Sequence, residues 1–308
     1  MEKAYLNLLH RVLTNGESRN DRTGVGTVSL FGEQIRCDLS KEFPLLTTKK
    51  MAWKSIVGEL LWFLRGSSDE RELAEITHGT RDGVTTIWTP NALAPYWKST
   101  AAFEGDLGRI YGVQWRKWKG YDVASYSDFL IHYGEEKPAT TYLGAKVTVT
   151  EYDQIKSIID TIKNNPTDRR MVLTAFNVAE IDKMALPPCH MFAQFYVSND
   201  KRLSCQVYIR SNDLFLGLPF NIASYALLVH MLAQVTSTTP GDLVITIGDA
   251  HIYKNHVVQV KEQLTRTPLN PPQLVLDERV NDIDLFNMDS FKLVNYESHG
   301  PITGKMAV

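Results

Sequence analysis

Leu186-Pro187-Pro188-Cys189-His190 is read together with three later stretches, Arg210-Ser211-Asn212-Asp213, Leu218-Pro219-Phe220-Asn221 and His251-Ile252-Tyr253. In that order they supply a thiol nucleophile, a guanidinium beside a hydroxyl, a side-chain amide and a His/Tyr pair. Pro187 and Pro188 stiffen the approach to Cys189, which suits a nucleophile presented at a strand or loop edge. The Asn221 amide offers one donor and one acceptor, as a pyrimidine edge requires. Arg210 and Ser211 suit a phosphate. His251 and Tyr253, two residues apart, share one strand face and suit a sugar hydroxyl. The set points to sulfur attack on a nucleotide base. Each residue also has a plainer reading. Cys189 can be a small buried thiol, Asn221 the N-cap of the apolar helix that follows it, and His251 and Tyr253 satisfied core residues.

Further from this centre, residues 2–14 carry apolar side chains on one helical face, and Asn15-Gly16 ends that helix. Residues 27–31 read as a strand and residues 51–64 as a helix with Glu59 inside its apolar run. Burying a carboxylate there raises its pKa and makes Glu59 a candidate general acid/base. Residues 119–152 are rich in Tyr, Ser, Gly and Thr and are expected as a surface insertion, a small hairpin lobe. Helices are predicted at 152–164, 222–235 and 256–265, and strands at 171–177, 191–197, 203–209 and 243–247. Strands and helices do not alternate regularly, so the expectation is an α+β fold, one domain over residues 1–308.

The 308 residues carry a net charge of −2, which offers no extended basic face for nucleic acid. An anion must then be met by local arginines. Arg22 in a Gly-flanked loop, Arg169, Arg170 and Arg210 are the candidates, and their convergence would also lower the pKa of Cys189. There are three cysteines, Cys37, Cys189 and Cys205. That sparse, odd count fits a reducing compartment rather than a disulfide framework, with Cys37 and Cys205 in the core. No apolar run is expected to reach the roughly 20 residues a membrane span needs. The N-terminus has early charges and no apolar signal region, so the chain is read as cytoplasmic. No zinc-like Cys/His spacing and no phosphate-cradling Gly-rich loop is present, so no metal is expected.

The chain resembles the thymidylate synthase family nearly end to end. The matching strings are Asp21-Arg22-Thr23-Gly24, Phe43-Pro44-Leu45-Leu46-Thr47-Thr48-Lys49, Glu59-Leu60-Leu61-Trp62, Asp168-Arg169-Arg170 and Met184-Ala185-Leu186-Pro187-Pro188-Cys189-His190. They continue with Arg210-Ser211 through Asp213, the run from Leu216 to Tyr225, Gly248-Asp249-Ala250-His251-Ile252-Tyr253 and the closing Met306-Ala307-Val308. The resemblance implies a three-layer α+β fold whose large mixed sheet packs against its mate in a homodimer. It implies that Cys189 adds to C6 of dUMP, and that C5 then takes the one-carbon unit of 5,10-methylenetetrahydrofolate. Arg22, Arg210 and Ser211 would hold the 5′-phosphate, with Arg169 and Arg170 reaching in from the second subunit. His251 and Tyr253 would bind the 3′-hydroxyl, and Asn221 would select uracil. Glu59 would relay protons, and Tyr111 belongs with Cys189, Arg210 and Asp213 among the catalytic residues. Trp88, Asp213, Leu186, Gly217, Phe220 and Val308 would hold or cover the folate, and Lys49 would meet its glutamate tail.

The chain departs from the family pattern at Thr89, where Asp is usual after the Trp, and at Pro90. It departs again at Arg109, where Pro is usual, at Ile209, where Gln is common, and at Phe176, where Trp is usual. If Thr89, Pro90 and Arg109 reshaped the water shield, water rather than hydride would reach the exocyclic methylene. The product would then be 5-hydroxymethyl-dUMP with tetrahydrofolate, so dUMP hydroxymethylase is the alternative to reductive methylation. A catalytically silent binding protein is the reading from another class, and Cys189, Glu59, Asn221 and Arg210 argue against it.

Overall fold

The computed structural model describes residues 1–123 and 147–306. Its centre is a six-stranded sheet in the order β1-β2-β8-β7-β6-β5. The strands are β1 (Glu17–Arg19), β2 (Thr27–Asp38), β5 (Val172–Thr174), β6 (His190–Val197), β7 (Arg202–Asp213) and β8 (Thr239–Tyr253). Neighbours are antiparallel except β7 and β8, which run parallel. The sheet is therefore mixed, as the α+β expectation requires. A hairpin of β3 (Trp118–Val123) and β4 (Val147–Tyr152) pairs Trp118 with Tyr152 through Val123 with Val147. It forms the two ends of the expected insertion, whose residues 124–146 lie outside the described residues.

Alternation along the strands decides which sheet face is covered. On β7, Leu203, Cys205, Val207 and Ile209 are buried while Gln206 and Tyr208 are not. On β6, Ala193, Phe195 and Val197 point inward while Phe192, Gln194 and Tyr196 point out. The covered face carries α1 (Glu2–Asn15), which packs on β2 and β8 and whose Tyr5, Leu8, Leu9 and Val12 are fully buried. It also carries α8 (Gly217–Thr236), which packs on β7 and β8. Buried leucines of α8 such as Leu227, Leu228 and Leu232 each contribute about 1.5–3 kcal/mol by leaving water.

Two expectations change here. The helix predicted from residue 222 begins at Gly217, so Asn221 lies inside its first turns and is not its N-cap. Its 20 residues are also long and apolar enough to span a membrane by length and composition, contrary to the sequence expectation. Within the fold, 72% of its most apolar window is buried, which is how a central helix with an apolar surface all round behaves.

The remaining helices build the upper wall of a cleft: α2 (Trp53–Leu64), α3 (Glu70–His78), α4 (Thr89–Ala92), α5 (Pro95–Lys98) and α6 (Tyr111–Arg116). Gly112 lets α6 lie directly on α2, because a Cβ there would come within 2.4 Å of the Phe63 carbonyl oxygen. Helices α7 (Gln154–Asn164) and α9 (Val257–Leu264) flank the core. A short β9 (Gln273–Leu276) and β10 (Phe291–Val294) pair near the C-terminus.

Candidate active site

Cys189 immediately precedes β6, at the floor of a cavity of about 500 Å³. The register shifts between His190 and Phe192, a bulge that turns His190 into the core while Phe192 stays on the outer face. The buried His190 ring stacks on Tyr111 with centroids 4.0 Å apart, and its Nδ1 lies 2.9 Å from the Tyr225 hydroxyl. Burial alone pushes His190 down to about 3, so its ring is neutral at ordinary pH. The Tyr111 hydroxyl accepts the Cys189 backbone N–H at 2.6 Å. These contacts hold the nucleophile's backbone from two sides.

Arg210, on β7, is locked by its own donated bonds. Its Nε donates to the Pro188 carbonyl and its Nη2 to the Pro187 carbonyl, each at 2.9 Å. Nη2 also lies 3.7 Å from the Cys189 sulfur. The Pro-Pro pair thus contributes two carbonyls that aim the guanidinium, besides stiffening the chain. Burial pushes the Cys189 thiol up, while Arg210 and the Tyr111 hydroxyl pull it down. In the protein without substrate burial outweighs them. Within one chain Arg210 alone of the four candidates touches the sulfur, and the expected lowering of the thiol is not reached there. Arg22 is exposed at the rim, near enough to Tyr253 for its charge to be felt. Arg169 and Arg170 are exposed and outside the cavity lining, with Arg170 paired to Asp168 at 3.0 Å.

Glu59, on α2, lines the same cavity and accepts the Trp88 indole N–H at 2.7 Å. Burial raises its carboxyl to about 7, against a smaller lowering from the Trp88 bond. Trp88 was expected as a cover for folate; it both lines the cavity and holds the candidate acid/base. Asn221 faces a second amide, and the Asn212 Nδ2 donates to its Oδ1 at 3.2 Å. That bond fixes which atom of Asn221 is the acceptor and leaves its amide nitrogen for another partner. Asn212 is a functional candidate that the sequence reading quoted without giving it a role. Its signal was a polar residue in a strand otherwise buried at alternate positions.

His251 and Tyr253, both on β8 and lining the cavity, bring their rings to 5.0 Å edge to face. The His251 Nδ1 lies 3.2 Å from the Asp249 carboxylate. Asp213 ends β7 and accepts the backbone N–H groups of Phe215 and Leu216 at 2.8 and 3.2 Å. This orders the turn into α8, where Gly217 and Phe220 line the same cavity. Ser211, Leu186 and Trp88 line it too, as does Met306 from the C-terminal segment. Val308 lies outside the described residues.

Lys49 departs from its expected place. It is buried, donates to the Phe215 carbonyl and sits 3.9 Å above the Phe215 ring, away from the cavity lining. Burial lowers it to about 8. In this structure it supports the turn after Asp213. The departures from the family pattern also point away from the cavity. Thr89 donates to buried Glu70 at 2.5 Å, and Pro90 lies in the first turn of α4. Arg109 donates to buried Glu180 and to the Lys117 carbonyl, each at 2.6 Å. Ile209 is a fully buried core residue. None of these four, nor Phe176, lines the cavity. Among the described residues no three His, Cys, Asp or Glu side chains group as a metal site.

Residues 3–308 match the family model described as Thymidylate synthase. A bifunctional dihydrofolate reductase-thymidylate synthase of Zea mays is 48% identical over 310 residues, covering 100% of this chain and 54% of the relative. A similar putative bifunctional protein of Oryza sativa subsp. japonica is 47% identical, with 58% of it covered. The chain thus spans little more than half the length of these two plant relatives. The thymidylate synthase of Herpesvirus ateles is 47% identical, with 100% of this chain and 98% of the relative covered. The Cys189 thiol lies in a cavity beside Tyr111 and Arg210, and the family model matches almost every residue around it: the chain belongs to the thymidylate synthase family.

Proposed function

We propose that this protein converts dUMP to dTMP, with 5,10-methylenetetrahydrofolate as co-substrate and dihydrofolate as the second product. The observation that carries the reading is the cavity itself. It gathers the Cys189 sulfur beside Arg210, Glu59 near neutrality and the Asn212–Asn221 amide pair around one space. The Cys189 thiolate adds to C6 of the pyrimidine, and the displaced electron pair makes C5 the carbon nucleophile. Arg210 stabilises the thiolate, and a phosphate entering beside it would add its own contacts to Arg210 and Ser211. The free amide of Asn221 meets the O4/N3 edge of uracil. Glu59, half ionised near pH 7, is suited to hold or pass a proton at the pyrimidine carbonyl.

The volume and the residues Trp88, Leu186, Gly217 and Phe220 fit the faces of a flat pterin ring, with Asp213 as a partner for its polar edge. Bound there, the folate supplies the methylene carbon and the hydride that reduces it. Around it the chain's task is exclusion of water by Trp88 and the C-terminal segment. Because Thr89, Pro90 and Arg109 point away from the cavity, they give water no entry, which favours reduction over hydration.

The working unit is a homodimer in this proposal. The uncovered sheet face carries Phe31, Tyr196, Tyr208 and Phe192, all exposed, an apolar patch that a second copy would bury. Exposed Arg169 and Arg170 then reach a neighbour's phosphate. The three unpaired cysteines support a cytoplasmic setting. The test is incubation with dUMP and 5,10-methylenetetrahydrofolate, followed by absorbance and nucleotide mass. Gain of a methyl group with dihydrofolate is expected, and no turnover with Cys189→Ser. A hydroxymethyl product without dihydrofolate overturns the reductive step.

A further inference from the structure

The buried carboxylate of Glu70 has no part in the chemistry above, yet it lies one contact chain away from it. Glu70 opens α3 and is 1% exposed. Its Oε1 accepts the hydroxyls of Thr86 at 2.6 Å and Thr89 at 2.5 Å. Its Oε2 pairs with Arg71, whose Nε donates at 2.6 Å. Arg71 in turn donates to the carbonyls of Arg81 and Val84 at 2.9 and 3.0 Å, and to the Thr89 hydroxyl at 3.2 Å. The two threonines then brace the backbone that carries Trp88. The Thr89 hydroxyl accepts the Thr86 N–H at 2.8 Å, and the Thr86 hydroxyl accepts the Trp88 N–H at 3.1 Å. Trp88 passes the constraint on, because its indole is the donor to Glu59.

We propose that Glu70, acting through Thr86 and Thr89, is a positioning residue for the Trp88–Glu59 pair. An aspartate at 89 would set a second carboxylate against the buried Oε1 of Glu70, with Arg71 already shared between them. A hydroxyl donates there instead. Thr89 and Glu70 form one pair, and its consequence is a fixed indole rather than an altered water path.

The inference rests on the proposed role of Glu59 in turnover. Around Glu59 the cavity also presents Tyr111 from α6, Cys189 and His190 at the start of β6, His78 from α3, and Asp213, His251 and Tyr253. The limb of the pH–rate profile that belongs to Glu59 is therefore defined as the one that Glu59→Gln removes. Glu70→Ala, Thr89→Asp and the double variant are compared with the unaltered protein in two measurements. In thermal unfolding, Thr89→Asp is expected to lower the midpoint by several degrees in the original background and by clearly less in the Glu70→Ala background. In turnover, Glu70→Ala is expected to lower kcat, leave KM for dUMP unchanged and move the Glu59 limb upward. A shift of about half to one pH unit corresponds to weakening one hydrogen bond donated to a carboxylate. An unmoved limb with kcat retained, even if the midpoint falls, shows that Glu70 only stabilises the fold and overturns the proposal. An equal cost of Thr89→Asp in both backgrounds overturns it too. If the unaltered protein forms no dTMP, the proposed function fails separately, and the thermal comparison still decides whether Glu70 and Thr89 are coupled.

Discussion

Replacing Glu59 by Gln is expected to stabilise this protein in a pH-dependent way. The Glu59 carboxyl is raised from its ordinary 4.5 to about 7, mainly by burial. The folded state therefore holds the proton more tightly than the unfolded chain. Stability falls as pH rises from 4.5, and the loss is complete above pH 7. At about 1.36 kcal/mol per pH unit the full loss is about 3 kcal/mol. Glu59 keeps some solvent contact along the cavity, which reduces this to about 2–3 kcal/mol. Glutamine is uncharged at every pH and can still accept the Trp88 N–H, so the variant removes the titration with little change in packing. Denaturant unfolding at pH 5 and pH 8.5 would read the difference. The variant's advantage over the original protein should grow by about 2 kcal/mol between those pH values, or roughly 3 °C in Tm. Parallel pH profiles for the two proteins would refute the reasoning, because they would mean that Glu59 titrates alike in the folded and unfolded states. The same variant should keep only a slow residual turnover that lacks the Glu59 limb, so activity and stability would move in opposite directions, as they do where function requires a costly buried charge.

Asn221→Asp should move preference from dUMP toward dCMP, since a carboxylate accepts from the cytosine amino group; unchanged relative kcat/KM for the two nucleotides would remove Asn221 from base selection. Mixing Cys189→Ser protomers with Arg170→Glu protomers, each inactive alone, should restore part of the activity if Arg170 serves the neighbouring site. No recovery after subunit exchange verified by mass would place Arg170 outside the phosphate contacts. Gly112→Ala should destabilise the protein by about 1–3 kcal/mol, because its Cβ would lie 2.4 Å from the Phe63 oxygen and push α6 off α2. An unchanged unfolding midpoint would show that the two helices separate at no cost.

Much of the element order was legible because it depends on local periodicity. The helical spacing of Tyr5, Leu8, Leu9 and Val12 gave α1 nearly to the residue. Alternation gave β6 almost whole and β7 up to Ile209. It fell short elsewhere in the sheet: β2 runs to Asp38 and β8 from Thr239 to Tyr253, well beyond the short strands expected. Those extensions are polar or mixed in composition and are held by pairing with each other, from Thr27 opposite Tyr253 to Asp38 opposite Asp242. Pairing between segments so far apart leaves no mark in either one alone. The start of α8 was missed for a related reason. Gly217 and Pro219 read as breakers, yet Pro is tolerated in a first turn, and Asp213 orders the backbone entering it.

The sequence by itself determined the chemistry available here. It offered a single poised thiol at Cys189, an amide at Asn221, a His/Tyr pair on one strand face and a carboxylate in an apolar helix, because residue type and short spacing are local properties. Tertiary structure decided which of these groups meet. It brought Arg210 alone of four arginines to the sulfur, set Asn212 against Asn221, buried Lys49 under Phe215 and joined Glu59 to Trp88. It also turned Thr89 away from the cavity toward Glu70. These partners stand 9 to 166 residues apart. Their contacts exist only because the sheet and its covering helices close on one another, and burial in that closed space sets the ionisation of Glu59 and Cys189.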